Sequence, residues 1–337
     1  MNSESGMQLP NELKRVIVFG GAGFIGSHLL EALAAANPQI ELFSVDIAEP
    51  RFKAPGVHYV SHDVTKTVPS QLCGSGEAII FNLAAVHTTP GHEDWEYYRT
   101  NILGACNICQ FATDIKARHI VFTSSISVYG PSEEPKNEDS ELEPASAYGW
   151  SKAMAERIHN LWRSEQSDGR RLTIVRPAVI YGATEQGNFT RLAKLLAKGR
   201  FVYPGRKDTI KSCGYVKDLV SSMLFMAAKD ESTTLYNFCH PERYTSEDIC
   251  AAFSQVAGYK TPRIVAPIRL MLLGGLVFEV LGKLGLKTTV NRARVKKLFH
   301  STNIIPKKLQ ESGFRYSYNL PSSLSDWRSF STKREFV

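Results

Sequence analysis

The heptapeptide Gly20-Gly-Ala-Gly-Phe-Ile-Gly26 follows an apolar run, Arg15-Val-Ile-Val-Phe19, and precedes an amphipathic stretch, Ser27 to Ala36. Its glycines at 20, 23 and 26 have the G-x-x-G-x-x-G spacing. Few folds accept that order. A buried strand must run into a tight turn, and a helix must leave it at once. Residues without a Cβ make such a turn and let backbone N–H groups approach a pyrophosphate, while the helix N-terminus adds partial positive charge. A glycine turn alone also occurs with no ligand. The strand before this one and the helix after it are the context that predicts a dinucleotide.

A second apolar run, Ile40 to Val45, ends at Asp46. An acid about 20 residues beyond the glycines is the expected partner of a ribose 2′-hydroxyl. Its carboxylate repels a 2′-phosphate, and Ile47 and Ala48 offer no cation. NAD is therefore predicted over NADP, with Arg51 keeping NADP as the lesser alternative.

Strand and helix signals alternate along the first half. Apolar runs lie at 16–19, 42–45, 57–60, 78–83, 119–122 and 172–175, and helical patterns such as 95–114 and 147–166 separate most of them. That alternation predicts an α/β fold, a doubly wound parallel sheet of the Rossmann type with right-handed crossovers. Beyond Pro177 the pattern breaks into short helices and turns, which predicts a smaller, discontinuous C-terminal substrate-binding domain. The expected division is 12–180 and 181–330, with a segment near 210–240 returning to the first domain. The acidic stretch 132–143 reads as a solvated loop and 333–337 as a frayed end.

The 337 residues, 43% hydrophobic, suffice for one large or two modest domains. The formal charge of +7 points to an anionic partner. No basic arm or nucleic-acid motif is present, so a phosphate-bearing small substrate is predicted and no nucleic acid. Of six cysteines, Cys106 and Cys109 sit three apart in a helical stretch, with no His or Cys cluster to complete a metal site. They read as reduced thiols of a cytoplasmic protein. Residues to about Asn11 are polar with no apolar core of a signal peptide. Ile268 to Leu286 is apolar, but Arg269, Glu279, Lys283 and four glycines interrupt it. It reads as an amphipathic helix or helix pair on the core or at a subunit interface, without stable membrane insertion. Peripheral lipid contact is the lesser alternative.

Tyr148 and Lys152 share one helix face at i and i+4. An ammonium there favours the phenolate and is expected to lower the tyrosine pKa. By chance a Y-x-x-x-K is a surface pair. Here Thr123-Ser-Ser-Ile-Ser-Val-Tyr-Gly130 follows the run 119–122, at a strand end that lines the ligand crevice of such a sheet. Ser124, Ser125 and Ser127 compete for the place facing the phenol.

With these residues the chain resembles the extended short-chain dehydrogenases/reductases, the NAD-dependent epimerase/dehydratase group that acts mostly on nucleotide sugars. The resemblance runs from Val16 to about Trp327. It implies cofactor contacts at Gly20, Gly23, Phe24, Ile25, Gly26 and Asp46, at Asp63 and Val64, at Leu83, Ala84 and Ala85, and at Asn101 and Pro177. Aligning on Val128-Tyr-Gly130 implies Ser125 as the catalytic serine. Tyr148 is then the general acid/base on a sugar oxygen, Ser125 holds that oxygen, and Lys152 binds the nicotinamide ribose. Tyr215 to Val220 matches a segment carrying a family aspartate, Asp218. Dehydratases of the group carry an Asp-Glu pair where Ile126 and Ser127 stand, so dehydration is not expected.

Substrate residues are implied at Asn188, in a loop that contacts a diphosphate, at Lys211, where relatives carry arginine, at Arg292 in preference to Arg294, and at His87. A lone loop histidine or lysine is as often structural. The leading expectation is a nucleotide-sugar epimerase acting at C4 on a nucleotide-diphosphate sugar. A nucleotide-4-keto-sugar reductase of polysaccharide biosynthesis would use the same residues. The stretch 267–298 also resembles the sterol and 3β-hydroxysteroid dehydrogenases. A scaffold that has lost its chemistry is disfavoured by the intact Tyr148 and Lys152. The family resemblance further implies a homodimer through the helices at 95–114 and 147–166.

Overall fold

A computed structural model describes residues 13–74, 76–88, 91–166, 169–283 and 292–337. In chain order the first half holds β1 (Arg15–Phe19), α1 (Phe24–Ala36), β2 (Glu41–Asp46), β3 (Val57–Ser61), β4 (Ile79–Asn82), α2 (Asp94–Tyr98), α3 (Gly104–Asp114), β5 (His119–Thr123), β6 (Ser132–Lys136), α4 (Ala147–Glu165) and β7 (Arg171–Pro177). There follow β8 (Val179–Tyr181), α5 (Asn188–Ala197), β9 (Tyr203–Pro204), β10 (Cys213–Tyr215), α6 (Val216–Ala227), β11 (Thr233–Phe238) and α7 (Ser246–Ala257). The chain closes with β12 (Val265–Ala266), α8 (Ile268–Lys283), α9 (Arg292–Phe299), β13 (Thr302–Ile304), α10 (Lys307–Glu311) and α11 (Leu320–Phe330).

Seven strands form one sheet in the order β3-β2-β1-β4-β5-β7-β11, every pair parallel. Strand β1 shows why the sheet is covered on both sides. Val16 and Val18 enter one core with Leu29 and Leu33 of α1 and Leu219 and Met223 of α6. Ile17 and Phe19 enter the other with Ile108 and Phe111 of α3 and Ala155 and Trp162 of α4. Successive strand side chains point to opposite faces, so a strand apolar at every position must be buried on both.

The six apolar runs supply six of these strands. The seventh, Thr-Thr-Leu-Tyr-Asn-Phe, carries too many polar residues to read as a buried run, yet it pairs with β7 from Thr233 to Phe238. A third core gathers Tyr181, Phe189, Phe253, Leu324 and Trp327 from β8, α5, α7 and α11. His28 joins the two regions by donating Nε2–H to the Ala183 carbonyl at 2.9 Å.

Two expectations fail, both where charge or a chain end outweighed tertiary context in the reading. The acidic stretch 132–143 is no solvated loop: β6 pairs with β13, and Glu138 is buried with Oε1 accepting from the Asn237 backbone N–H at 2.8 Å. The C-terminus is not frayed. Phe336 packs edge-on against Trp327, and the Val337 carbonyl accepts from Thr184 N–H and Trp327 Nε1.

A polar bundle crosses the sheet's carboxyl end. Glu156 of α4 accepts two hydrogen bonds from Arg176 of β7, at 2.8 and 2.7 Å, and one from Ser124. Arg176 also donates to the Tyr129 hydroxyl at 2.6 Å, which donates to Asn237 of β11 at 2.9 Å. All five side chains are buried. Breaking a buried ion pair from one side leaves an uncompensated charge. Glu156→Ala should therefore cost about 3–5 kcal/mol in denaturant unfolding. Adding Arg176→Met should recover most of that loss.

Candidate functional site

The glycine turn is tighter than its spacing alone requires. Gly20 has φ +79°, and a Cβ on it would lie 2.6 Å from the Ala84 backbone nitrogen. The turn thus lies directly on the loop after β4, which carries Leu83, Ala84 and Ala85. Gly23 is the N-cap of α1, with Phe24, Ile25 and Gly26 in its first turn. At the end of β2, Asp46 accepts from Ala22 N–H at 3.1 Å and from Ala48 N–H at 3.0 Å. The carboxylate is held against the turn with acceptor capacity left over. Arg51, the residue that kept NADP in view, donates to the Thr184 carbonyl at 2.8 Å. Next to β3, Asp63 accepts from Thr65 N–H, which holds its carboxyl below the usual range, and the buried Val64 is anchored through its carbonyl by Asn107.

Asn101 occupies a single π turn, residues 99–103, between α2 and α3. Its amide exchanges two hydrogen bonds with the Val86 backbone, at 2.9 and 3.1 Å, and donates to Ser151 of α4 at 2.8 Å. It pins the loop under the cofactor place to the helix carrying Tyr148. Every polar atom of its amide is thereby committed to the protein, so Asn101 acts as a clamp for that loop. π turns often mark such positions.

Helix α4 starts with Ser146 accepting from Gly149 N–H at 3.1 Å. A Cβ at Gly149 would lie 2.5 Å from the Ser127 carbonyl oxygen, so the helix start rests directly on the serine loop. That contact brings the Tyr148 phenol to face Ser125. Ser125 Oγ also accepts from Ser127 N–H at 3.1 Å and lies 3.2 Å from Ser127 Oγ. Of the three competing serines, Ser124 is bound to Glu156 and Ser125 faces the phenol.

One turn on, Lys152 is 2% exposed, its ammonium 4.4 Å from the centre of the Phe122 ring. Burial pushes this amine down to about 7, against the pull of Glu156. Burial pushes the Tyr148 phenol up to about 12, opposed by the Ser125 hydroxyl. The expected lowering of the tyrosine is therefore not found, because desolvation outweighs the Ser125 hydroxyl, and Tyr97 adds to the rise.

Two residues of this site went unpicked. His159 donates Nδ1–H to the Ala155 carbonyl at 2.7 Å, accepts from Asn82 at 3.1 Å and stacks on Phe122 with ring centres 4.1 Å apart. The signal was legible: Lys152, Glu156 and His159 repeat at i, i+4 and i+7, a polar stripe on the face that α4 buries. Tyr97 of α2 lies against Tyr148, with ring centres 6.0 Å apart.

The substrate residues fare differently. Lys211 is turned to carbonyls of its own chain. Its ammonium donates to the carbonyls of Lys297 at 2.8 Å and His300 at 2.5 Å, capping the end of α9. The Arg292 guanidinium pairs with Glu279 of α8 at 2.8 Å. The other candidate, Arg294, lies within electrostatic reach of Arg191 on α5, and Lys297 joins both. Burial and these neighbours hold the Arg294 and Lys297 cations below their ordinary values. Asn188 is exposed in the first turn of α5, and His87 is exposed beyond the Ala85 loop, within electrostatic reach of Lys152. Asp218 is buried and accepts from Ser317 and Tyr318 N–H, a structural role.

A doubly wound sheet with this turn, acid and Ser-Tyr-Lys grouping defines a nucleotide-cofactor oxidoreductase or isomerase. Residues 16–239 match the NAD dependent epimerase/dehydratase family, and the chain belongs to it. Its cofactor is NAD, in accord with the Asp46 geometry and the committed Arg51. The chain is 30% identical over 314 residues to an N-acetyl-alpha-D-glucosaminyl-diphospho-ditrans,octacis-undecaprenol 4-epimerase of Escherichia coli O157:H7, covering 92% of both proteins. It is 26% identical to a UDP-glucose 4-epimerase of Lactobacillus helveticus, covering 76% of this chain and 85% of the relative. Its fold matches that of MoeE5 in complex with UDP-glucose and NAD, with TM-score 0.73 and 21% identity over 94% of this chain and 100% of that one. The protein is an enzyme of the extended short-chain dehydrogenase/reductase type.

Lys152→Met removes a buried amine whose folded value lies near 7 and whose ordinary value is 10.5. The folded state then binds fewer protons than the unfolded one between those values. The burial penalty is full below about pH 7 and fades as pH rises toward 10.5. In NAD-free protein the variant should raise the thermal unfolding midpoint more at pH 6 than at pH 9, while turnover is lost. Equal midpoint gains at both pH values would overturn the assignment.

Proposed function

We propose that the enzyme inverts C4 of a hexose joined through its anomeric carbon to a diphosphate, by way of a transient 4-keto sugar. The observation that carries this reading is the Tyr148 phenol facing Ser125 at the sheet's carboxyl end with Lys152 one helical turn away. Gly20, Gly23 and Gly26 with Asp46 and the Leu83–Ala85 loop hold the NAD, with Asp63, Val64 and Pro177 at its margins. NAD held there would supply the hydride acceptor and donor for the C4 carbon.

Tyr148 takes the C4 hydroxyl proton on its phenolic oxygen as the carbinol is oxidised. It gives the proton back to the same sugar oxygen after the ring has turned. One hydride and one proton leave and return, so the net change is isomerisation. Ser125 Oγ donates to that oxygen throughout. A phenol raised to about 12 releases its proton only beside a cation, and Lys152 is the cation α4 supplies. Arg191, Arg294 and Lys297, with Asn188 at the start of α5, hold the diphosphate.

Two carriers present the same sugar diphosphate, a nucleoside and a polyprenol. The nucleotide sugar fits the family at large. The polyprenol is favoured by the relative that matches 92% of both chains, whose name specifies it. Purified enzyme should retain NAD and interconvert C4 epimers with no net NADH consumption. UDP-glucose, UDP-N-acetylglucosamine and N-acetylglucosaminyl-diphospho-undecaprenol, offered in parallel, identify the carrier. Stoichiometric NADH consumption would replace epimerisation by reduction. Tyr148→Phe should lower turnover roughly 10²–10⁴-fold with NAD content unchanged.

The same reading includes a homodimer. On α4, Trp150, Met154 and Leu161 are exposed on one stripe, Leu161 at 64%, beside exposed Leu103 in the helix ahead of it. A contiguous apolar face of this kind marks an interface. Leu161→Glu should shift the protein from dimer to monomer in analytical ultracentrifugation, and an unchanged mass would reject this face.

A further inference from the structure

The chain's positive charge is not spread over its surface. Between residues 260 and 297 lie nine of its forty lysines and arginines and one of its thirty-three acids, so this stretch alone carries +8. The other residues together sum to −1. The same stretch holds an exposed apolar face. On α8, Leu270 is 64% exposed, Leu273 58% and Val277 50%, and Leu276 is exposed beside them. At 3.6 residues per turn these four and Arg269 fall within about 120° of the helix circumference. The opposite arc holds the buried Gly275 and the half-buried Ile268, Met271, Leu272 and Glu279. Exposed Ile264 and Val265 extend the patch just ahead of the helix.

The neighbouring helix supplies the charge. Arg292 ties α9 to α8 through Glu279, and Arg292 and Lys296 are exposed on it. Lys211, in the segment leading to β10, caps α9 and fixes the pair to the body of the enzyme. No helix among the described residues is long and apolar enough to cross a membrane.

We propose that α8 and α9 form a docking surface for the anionic face of a lipid bilayer. An amphipathic helix with aliphatic side chains on one stripe and cations alongside lies in the interfacial plane, its apolar side chains among the acyl chains and its cations at the headgroups. Arg269, within the stripe, reaches the headgroups along its own aliphatic stem. Charge complementarity selects a bilayer over a second copy of this chain, whose matching face would set cations against cations. The surface does not depend on which carrier the sugar has.

The test uses sedimentation with vesicles, without substrate. The full-length holoenzyme should pellet with phosphatidylcholine vesicles containing roughly 30% phosphatidylglycerol, and far less with phosphatidylcholine alone. The triple variant L270S/L273S/V277S should bind roughly tenfold or more weakly. Its unfolding midpoint and its vesicle-free turnover of a soluble sugar diphosphate should be unchanged. Should that variant fail to fold, R269E/K296E tests the charge arm with the stripe intact and should likewise lose binding. Wild-type protein left in the supernatant with both vesicle types overturns the proposal. So does either folded variant pelleting like wild type, or a triple variant that loses oligomeric mass in gel filtration. Vesicle binding without turnover would instead reject the epimerase reading and leave this one standing.

Discussion

The interaction on which the site depends is the buried bundle around Glu156. One carboxylate takes hydrogen bonds from Ser124 at the end of β5 and from Arg176 near the end of β7. Arg176 passes the connection to Tyr129 and Asn237, and the Asn237 backbone to Glu138. Charged groups in so dry a place are stable only in satisfied networks, which leaves little freedom of arrangement. The network fixes α4 against the carboxyl ends of three strands. Ser125 is the next residue after Ser124, and Lys152 is one turn before Glu156, so the placing of Ser125 against α4 follows from that lock.

Two groups of cations do separate work on this chain. One is the cluster of Arg191 on α5 with Arg294 and Lys297 on α9. The other is the outward charge beside the exposed leucines of α8. Net charge alone cannot distinguish them, because both appear as the same surplus. Their neighbours distinguish them: like charges gathered between helices in one case, exposed aliphatic side chains in the other.

The sheet was legible because its signals are local. Continuous apolar runs of four to six residues, a glycine turn and an acid at a strand end are read within one βα unit. The same holds for Tyr148 and Lys152, which one helical turn joins. β11 escaped because half its residues are polar and its burial comes from pairing with β7, far off in sequence. Glu138 and Phe336 escaped because their partners, Asn237 and Trp327, lie on other elements.

By itself the sequence determined the fold and the cofactor, since each rests on residues close in sequence or at fixed helical spacing. Only the tertiary structure decided which serine faces Tyr148, because Glu156 takes Ser124 out of contention. It set Lys211 as a helix cap and Arg292 against Glu279, and brought Arg294 and Lys297 to Arg191. It also reversed the expected shift of the tyrosine, since the spacing of Tyr148 and Lys152 fixes their proximity but not how much water reaches them. A side chain's type states what it can bind; the groups that packing brings within hydrogen-bond reach decide what it does bind.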